Sequence, residues 1–155
     1  MTELARETRD RLVRAGSSTI ANALLARGLR NTYLLDLAPV GEDQPVMVGP
    51  AFTLRFIPAR EDIDSLANYG RDDNVHRRAI EECPAGSVLV IGAGGSRRAS
   101  SMGDLMAARL VARGVAGAVT DGGFRDTPGI RATGLPCYQL GNASPSTPIA
   151  LHPVE

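Results

Sequence analysis

Residues 103–126 read GDLMAARLVARGVAGAVTDGGFRD. The stretch opens on a Gly-Asp pair and closes on an Arg-Asp pair. Leu105, Ala108, Val111 and Ala112 recur at three- and four-residue steps, with Arg109 and Arg113 on the other side, which predicts an amphipathic helix. Arg113 in the last turn suits the helix dipole, and Gly114 supplies the stop. Val115 to Thr120 is short, apolar and β-branched, the pattern of a strand buried on both faces. Helix, strand and a Gly-rich turn in succession give an α/β fold. The strand-to-turn corner is where such folds gather backbone N–H groups and fixed side chains around ligands.

The helix leads away from Gly103-Asp104 and the strand runs back, so Arg125 and Asp126 return to the edge where the helix began. Two carboxylates, one guanidinium and the free N–H groups of a helix N-terminus then meet. An anion could sit on the N–H groups of Leu105 and Met106 with Arg125 as a fork. A hard divalent cation could sit on Asp104 and Asp126. Equally open at this level, Asp104 could serve the helix dipole and Arg125-Asp126 could be a solvated turn.

The rest of the chain fits one domain, residues 1–155, long enough for a real core. Apolar content of 43% and charged content of 22% are those of an ordinary globular protein. Seventeen basic residues balance seventeen acidic ones, so net charge favours neither a nucleic-acid partner nor an anionic membrane surface. No stretch has the length of a membrane helix, and the polar start lacks a signal-peptide core. Cys83 and Cys137 stand in unrelated contexts, each beside a proline, the pattern expected of a reduced cytoplasmic protein.

Thr2 to Ala15 predicts a helix ended by Gly16, and Ser17 or Ser18 caps a second one through about Arg27, closed by Gly28. A short strand is expected over Leu34 to Leu37. Ala51 to Ile57 alternates Phe52, Leu54 and Phe56 with Thr53 and Arg55, a half-buried strand that Pro58 ends. Arg60 to Asn74 is an acid- and arginine-rich loop with a short helix inside. It is either a solvated excursion or a lid over the distal end of a substrate. His76 to Glu82 is helical, its histidine expected at the surface. The pairs Arg77-Arg78 and Arg97-Arg98 are expected on solvated faces. Ser87 to Ile91 is a buried strand, and Gly92 to Gly95 then lets backbone approach the site closely. Thr127 to Gly134 is a short helical turn, and Leu135 to Leu140 a brief strand. Gly141 to Glu155, with three prolines and no period, reads as a tail or linker.

The spacing of Gly103-Asp104 and Arg125-Asp126, with GVAGAVTDGGFRD between, resembles the RraA-like, or 4-hydroxy-4-methyl-2-oxoglutarate aldolase, family. STIANALLARG, GPAFTLR and PAGSVLVIG extend the likeness, and the wording around GLRNTYL and IPARED is similar to a subgroup labelled ribonuclease-activity regulators. The resemblance implies a three-layer β/β/α fold like the swivelling phosphohistidine domain. It implies a class II pyruvate aldolase or oxaloacetate decarboxylase that cleaves 4-hydroxy-2-oxo acids through a metal-stabilised enolate. Carried over by position, Asp126 holds Mg²⁺ or Mn²⁺ and Arg125 the substrate's carboxylate and carbonyl. The amides of Gly103, Asp104, Leu105 and Met106 seat the pyruvoyl carboxylate, and Asp104 orders a metal-bound water for proton transfer. The resemblance further implies a homo-oligomer, a trimer or hexamer, with the site at a subunit boundary. In the family further strands follow the position of Glu155, so a chain truncated at its C-terminus, poorly active and less stable than an extended one, is expected. Asn22 stands where many relatives carry an acid, which puts a helper role there in doubt.

The chain contains no lysine, since all seventeen basic residues are arginine. Schiff-base chemistry on a carbonyl needs an amine nucleophile. If this protein works next to a 2-oxo group, a metal must therefore stabilise the enolate, and a P-loop is ruled out as well. One carboxylate plus waters suits Mg²⁺ or Mn²⁺ better than zinc, which favours nitrogen or sulfur. Two other functions compete. Ser87 to Gly94 looks like the start of a dinucleotide-binding fingerprint, although Arg97 occupies its sixth position. A non-enzymatic regulator that binds a ribonuclease is the other.

Overall fold

In a computed structural model of the protein, which describes residues 4–154, six strands form one mixed sheet. They are β1 (Ala38–Pro39), β2 (Ala51–Pro58), β3 (Val88–Gly92), β4 (Gly117–Thr120), β5 (Cys137–Gln139) and β6 (Leu151–Val154). Their order across the sheet is β1-β5-β4-β3-β2-β6. The four central strands are parallel, and β1 and β6 flank them antiparallel. The apolar runs predicted for β3 and β4 are the middle of the sheet. Leu89, Ile91, Ala118 and Val119 are all buried, as strands covered on both faces must be. In β2 the alternation holds: Leu54 and Phe56 are buried while Thr53 and Arg55 are exposed.

The helices are α1 (Arg6–Arg14), α2 (Ser17–Leu25), α3 (Leu66–Tyr69), α4 (Val75–Glu82), α5 (Asp104–Ala112) and α6 (Thr127–Thr133). Helix α5 lies between α4 and α6. The chain thus adopts the α/β class expected, and β4 joins α5 to the turn as the sequence implied.

Several expectations are corrected. The buried face of α5 is Ala107 and Leu110, while Leu105 is 83% exposed and Val111 faces outward. Two neighbouring helices and the sheet flank α5, so small and central residues face inward and the regular stripe does not. His76 is fully buried, against Phe56 and Tyr69, because the inner side of α4 rolls it onto β2. The strand expected at Leu34 to Leu37 falls instead at Ala38–Pro39, an edge position where a proline is tolerated. Helix α2 starts after Gly16 with no side-chain cap. Residues 141–154 are no linker: a turn of 3₁₀ helix (Thr147–Ile149) leads into β6, which pairs with β2. Leu151 and Pro153 face inward there, a period-two signal too short to read beside three prolines.

Helices α1 and α2 bury no residue. The following segment leaves Leu29, Tyr33, Leu34 and Leu35 more than half exposed. Thr2, Glu3 and Glu155, parts of the expected first helix and tail, lie outside the described residues.

Candidate active site

The Gly-Asp and Arg-Asp pairs do meet. Gly103 enters α5 with its backbone against the second pair: a Cβ there would stand 3.0 Å from both Arg125 Nε and Asp126 Oδ2. A Cβ there would force one of these side chains to give way. Two strips of backbone lace the pairs together. Ser101 donates its N–H to the Gly123 carbonyl at 2.8 Å, and Arg125 donates its own to the Met102 carbonyl at 3.0 Å.

Arg125 makes two contacts. Nη1 donates to Ser146 Oγ at 3.0 Å, and Nε lies 3.3 Å from Asp126 Oδ2. Its side chain remains 38% exposed, so the fork is braced without being spent. Asp126 sits in the left-handed region (φ 54, ψ 37), one of two non-glycine residues with positive φ among those described. Strained backbone of this kind gathers at functional positions and costs on the order of 1–3 kcal/mol. Here the conformation lets Asp126 start α6 while its carboxylate reaches back over Gly103.

Asp104 opens α5. Its Oδ1 accepts the Leu105 N–H at 2.8 Å, and its Oδ2 lies against Gly129 of α6, where any Cβ would collide with it. One of the amides expected to seat an anion is therefore already engaged by Asp104, and the Met106 amide belongs to the same first turn. Leu105 points its side chain outward, while Met106 is half-buried, its sulfur 4.0 Å from Tyr69 Oη at the end of α3. Gly103, Asp104, Leu105, Met106, Arg125 and Asp126 thus share one corner of the molecule. Whether a divalent ion fits can be read from the donors. Asp104 and Asp126 offer hard carboxylate oxygens, and no three His, Cys, Asp or Glu among the described residues are grouped to hold a metal ion. Such a set suits an ion that keeps several waters or substrate oxygens, as Mg²⁺ does, and not zinc.

The structure adds residues that the sequence reading missed. Ser146, from the supposed tail, holds Arg125. Thr147 beside it is buried, donates to the Ser100 carbonyl at 2.7 Å and shares a 3.3 Å hydrogen bond with Tyr69 Oη. Tyr69 also meets His76 Nδ1 at 3.1 Å. Burial pushes the His76 ring down to about 4, so it is neutral near pH 7, and it pushes the Tyr69 hydroxyl up. No motif announced these partners, because they come from a loop and a segment without a period.

The dinucleotide reading does not survive. Asp121, at the end of β4, accepts the N–H groups of Ala93 and Gly95. The amides that would cradle a pyrophosphate are thereby closed by the protein's own carboxylate. Burial raises both cysteines, Cys83 to about 11 and Cys137 to about 12, so neither is a poised nucleophile. No helix among the described residues is long and apolar enough to cross a membrane.

The model of the Aldolase/RraA (RraA-like) family matches residues 17–151. The chain belongs to that family. A Thermus thermophilus protein named 4-hydroxy-4-methyl-2-oxoglutarate aldolase is 37% identical over 102 residues, 66% of this chain and 60% of that one. A second, from another strain of the same species and provisionally given the same name, is 38% identical over 115 residues, 74% of this chain and 67% of that one. Among solved structures, Streptomyces coelicolor RraAS2, described as an unusual member of the RNase ES inhibitor RraA family, superposes with a TM-score of 0.79. It is 31% identical, covering 99% of this chain and 72% of its own. The chain spans 43% to 67% of the length of the curated relatives it matches.

Proposed function

We propose that the protein is a divalent-metal-dependent lyase that cleaves a 2-oxo acid, a 4-hydroxy-2-oxo acid or oxaloacetate, with release of pyruvate. The observation that carries this reading is the crossing of Arg125 and Asp126 over Gly103 at the start of α5, beside Asp104. The family and the two aldolase-named relatives support it.

Asp126 would hold the ion, since its carboxylate is half exposed and has an oxygen beyond the one that meets Arg125. When bound, the ion supplies Lewis-acid charge that lowers the cost of the pyruvate enolate. Arg125, braced by Ser146, grips the 2-oxo acid's carboxylate and carbonyl as a planar fork and adds fixed positive charge where charge develops. The free amides of the first turn of α5 complete the carboxylate seat. Asp104, whose carboxylate accepts the Leu105 N–H, would pass a proton through an ordered water. With no lysine in the chain, Schiff-base formation has no nucleophile.

Arg125 and Asp126 remain partly exposed, and α1 and α2 bury no residue of their own in the monomer. Helices of nine residues are marginal alone in water. We therefore propose a homo-oligomer in which these helices and the Leu29 to Leu35 segment pack on a neighbouring copy, with the site near that boundary.

A second reading is a regulator that binds a ribonuclease, favoured by the likeness to RraAS2 over nearly the whole chain. Metal-supplemented protein assayed for pyruvate from oxaloacetate and a panel of 4-hydroxy-2-oxo acids, beside a pull-down against a ribonuclease, separates the two. Pyruvate release without capture supports the lyase, and capture without any turnover overturns it.

A further inference from the structure

On the α4 side of α5, away from Asp104, lies a half-open cavity of about 480 Å³. Ile80, Met106 and the Tyr69 ring form its apolar floor, and Leu105 rises at its edge. It adjoins the candidate site through two links. Leu105 and Met106 belong to the turn whose amides would seat the substrate carboxylate. Tyr69 is tied to Thr147, the neighbour of the Ser146 that braces Arg125. A molecule anchored on Arg125 and α5 therefore has this cavity as the next space along the protein surface.

The charges at its rim are unequal in how well they are matched. Arg109 is held on two nitrogens by Glu81, at 2.9 and 2.7 Å, and Arg113 stands 3.7 Å from the same carboxylate. Glu81 is thus neutralised twice. Asp72 projects fully into solvent, where water and salt screen it. Arg77 donates Nη1 to the Gly70 carbonyl at 2.9 Å, Asp72 stands 3.8 Å from it, and Glu81, farther off and already held by Arg109 and Arg113, also faces its charge. Arg77 is the guanidinium here with donors to spare.

We propose that this cavity is the subsite for the distal half of the substrate, and that it takes an apolar chain of several carbons ending in an anionic group met by Arg77. This rests on the lyase reading above. It goes further in assigning the loop around Tyr69 to substrate selection, and in favouring a distal half longer than a methyl group. Burial along Ile80, Met106 and Tyr69 supplies the affinity, and Arg77 the discrimination. His76 and Thr147 hold the Tyr69 ring in place in that floor.

The test is a series of 4-hydroxy-2-oxo acids whose distal substituent runs from methyl to longer alkyl and ω-carboxyalkyl chains, with oxaloacetate as the substrate lacking a distal chain. Pyruvate release is followed in wild type and in Arg77→Gln. In wild type kcat/KM rises about three- to fourfold per buried methylene. Arg77→Gln lowers it for ω-carboxyalkyl substrates by about 10- to 100-fold through KM, and spares alkyl substrates and oxaloacetate. A flat chain-length profile with oxaloacetate still cleaved overturns the subsite and leaves the lyase. An equal loss on every substrate in Arg77→Gln overturns the assignment of Arg77. No pyruvate from any substrate overturns both readings.

Discussion

Arg125 carries more contacts than a point charge could. Its Nη1 is on Ser146, its Nε faces Asp126, and the remaining edge faces outward. Arg125→Lys keeps the charge but loses the fork, and it should lower kcat/KM for pyruvate release by about two to three decades, about 2–4 kcal/mol of transition-state stabilisation. Asp126→Asn is a different case. Asparagine tolerates the left-handed region, so the fold should hold while the cation concentration for half-maximal activity rises. A melting curve beside a cation titration checks both halves of that statement. His76 gives a pH prediction. The unfolded chain takes up a proton below about pH 6.5 while the folded ring, held near 4 by burial, declines it. Between those values the unfolded state binds more protons, so stability falls as pH falls, by on the order of 3 kcal/mol across the window. Urea unfolding at pH 7 and at a pH near the bottom of that window should show a loss in wild type that is smaller in His76→Asn. Parallel losses in the two proteins would contradict it.

The segment from Ser146 to Val154 is the element whose importance the structure raises most. It supplies the Arg125 brace, the Thr147 bond to the Ser100 carbonyl and an edge strand on β2. Thr147→Val keeps the shape of a buried side chain and leaves that carbonyl unpaired, which should destabilise the protein by about 1–3 kcal/mol in urea titration. It should also loosen Tyr69. Elements with a clean period were legible in the sequence: β2 by its alternation, β3 and β4 by their apolar runs, and α5 by its three- and four-residue steps and glycine stop. The burial of α5 was not, because Leu105 and Val111 follow helical spacing yet face outward where other helices occupy its flanks. The burial of His76 was hidden because a lone histidine carries no sign of what packs on it. That Gly103, Asp104, Arg125 and Asp126 meet was legible, since a helix and a returning strand fix where both ends lie. The Ser146–Thr147–Tyr69–His76 set was not, since its members are far apart in sequence and three of them sit on aperiodic chain.

Taken whole, the chain divides into a core built on β2 to β6 with α4, α5 and α6, and an N-terminal arm that buries nothing of itself. The arm's exposed leucines and Tyr33 have a use if a second copy receives them. Light scattering of the full chain should give a multiple of 16.3 kDa, and deletion of residues 1–37 should give a folded monomer with reduced activity. A monomeric full chain with full activity would contradict the shared-boundary account.

The central claim is that this corner works with a divalent ion and without a covalent amine intermediate. The direct measurement is pyruvate release from oxaloacetate and 4-hydroxy-2-oxo acids in Mg²⁺ or Mn²⁺, in excess chelator, and after borohydride treatment in the presence of substrate. The account predicts turnover with the cation, its loss in chelator and its return when cation is restored, with borohydride trapping nothing. Undiminished turnover in excess chelator, or a borohydride-trapped adduct on the protein, would contradict it.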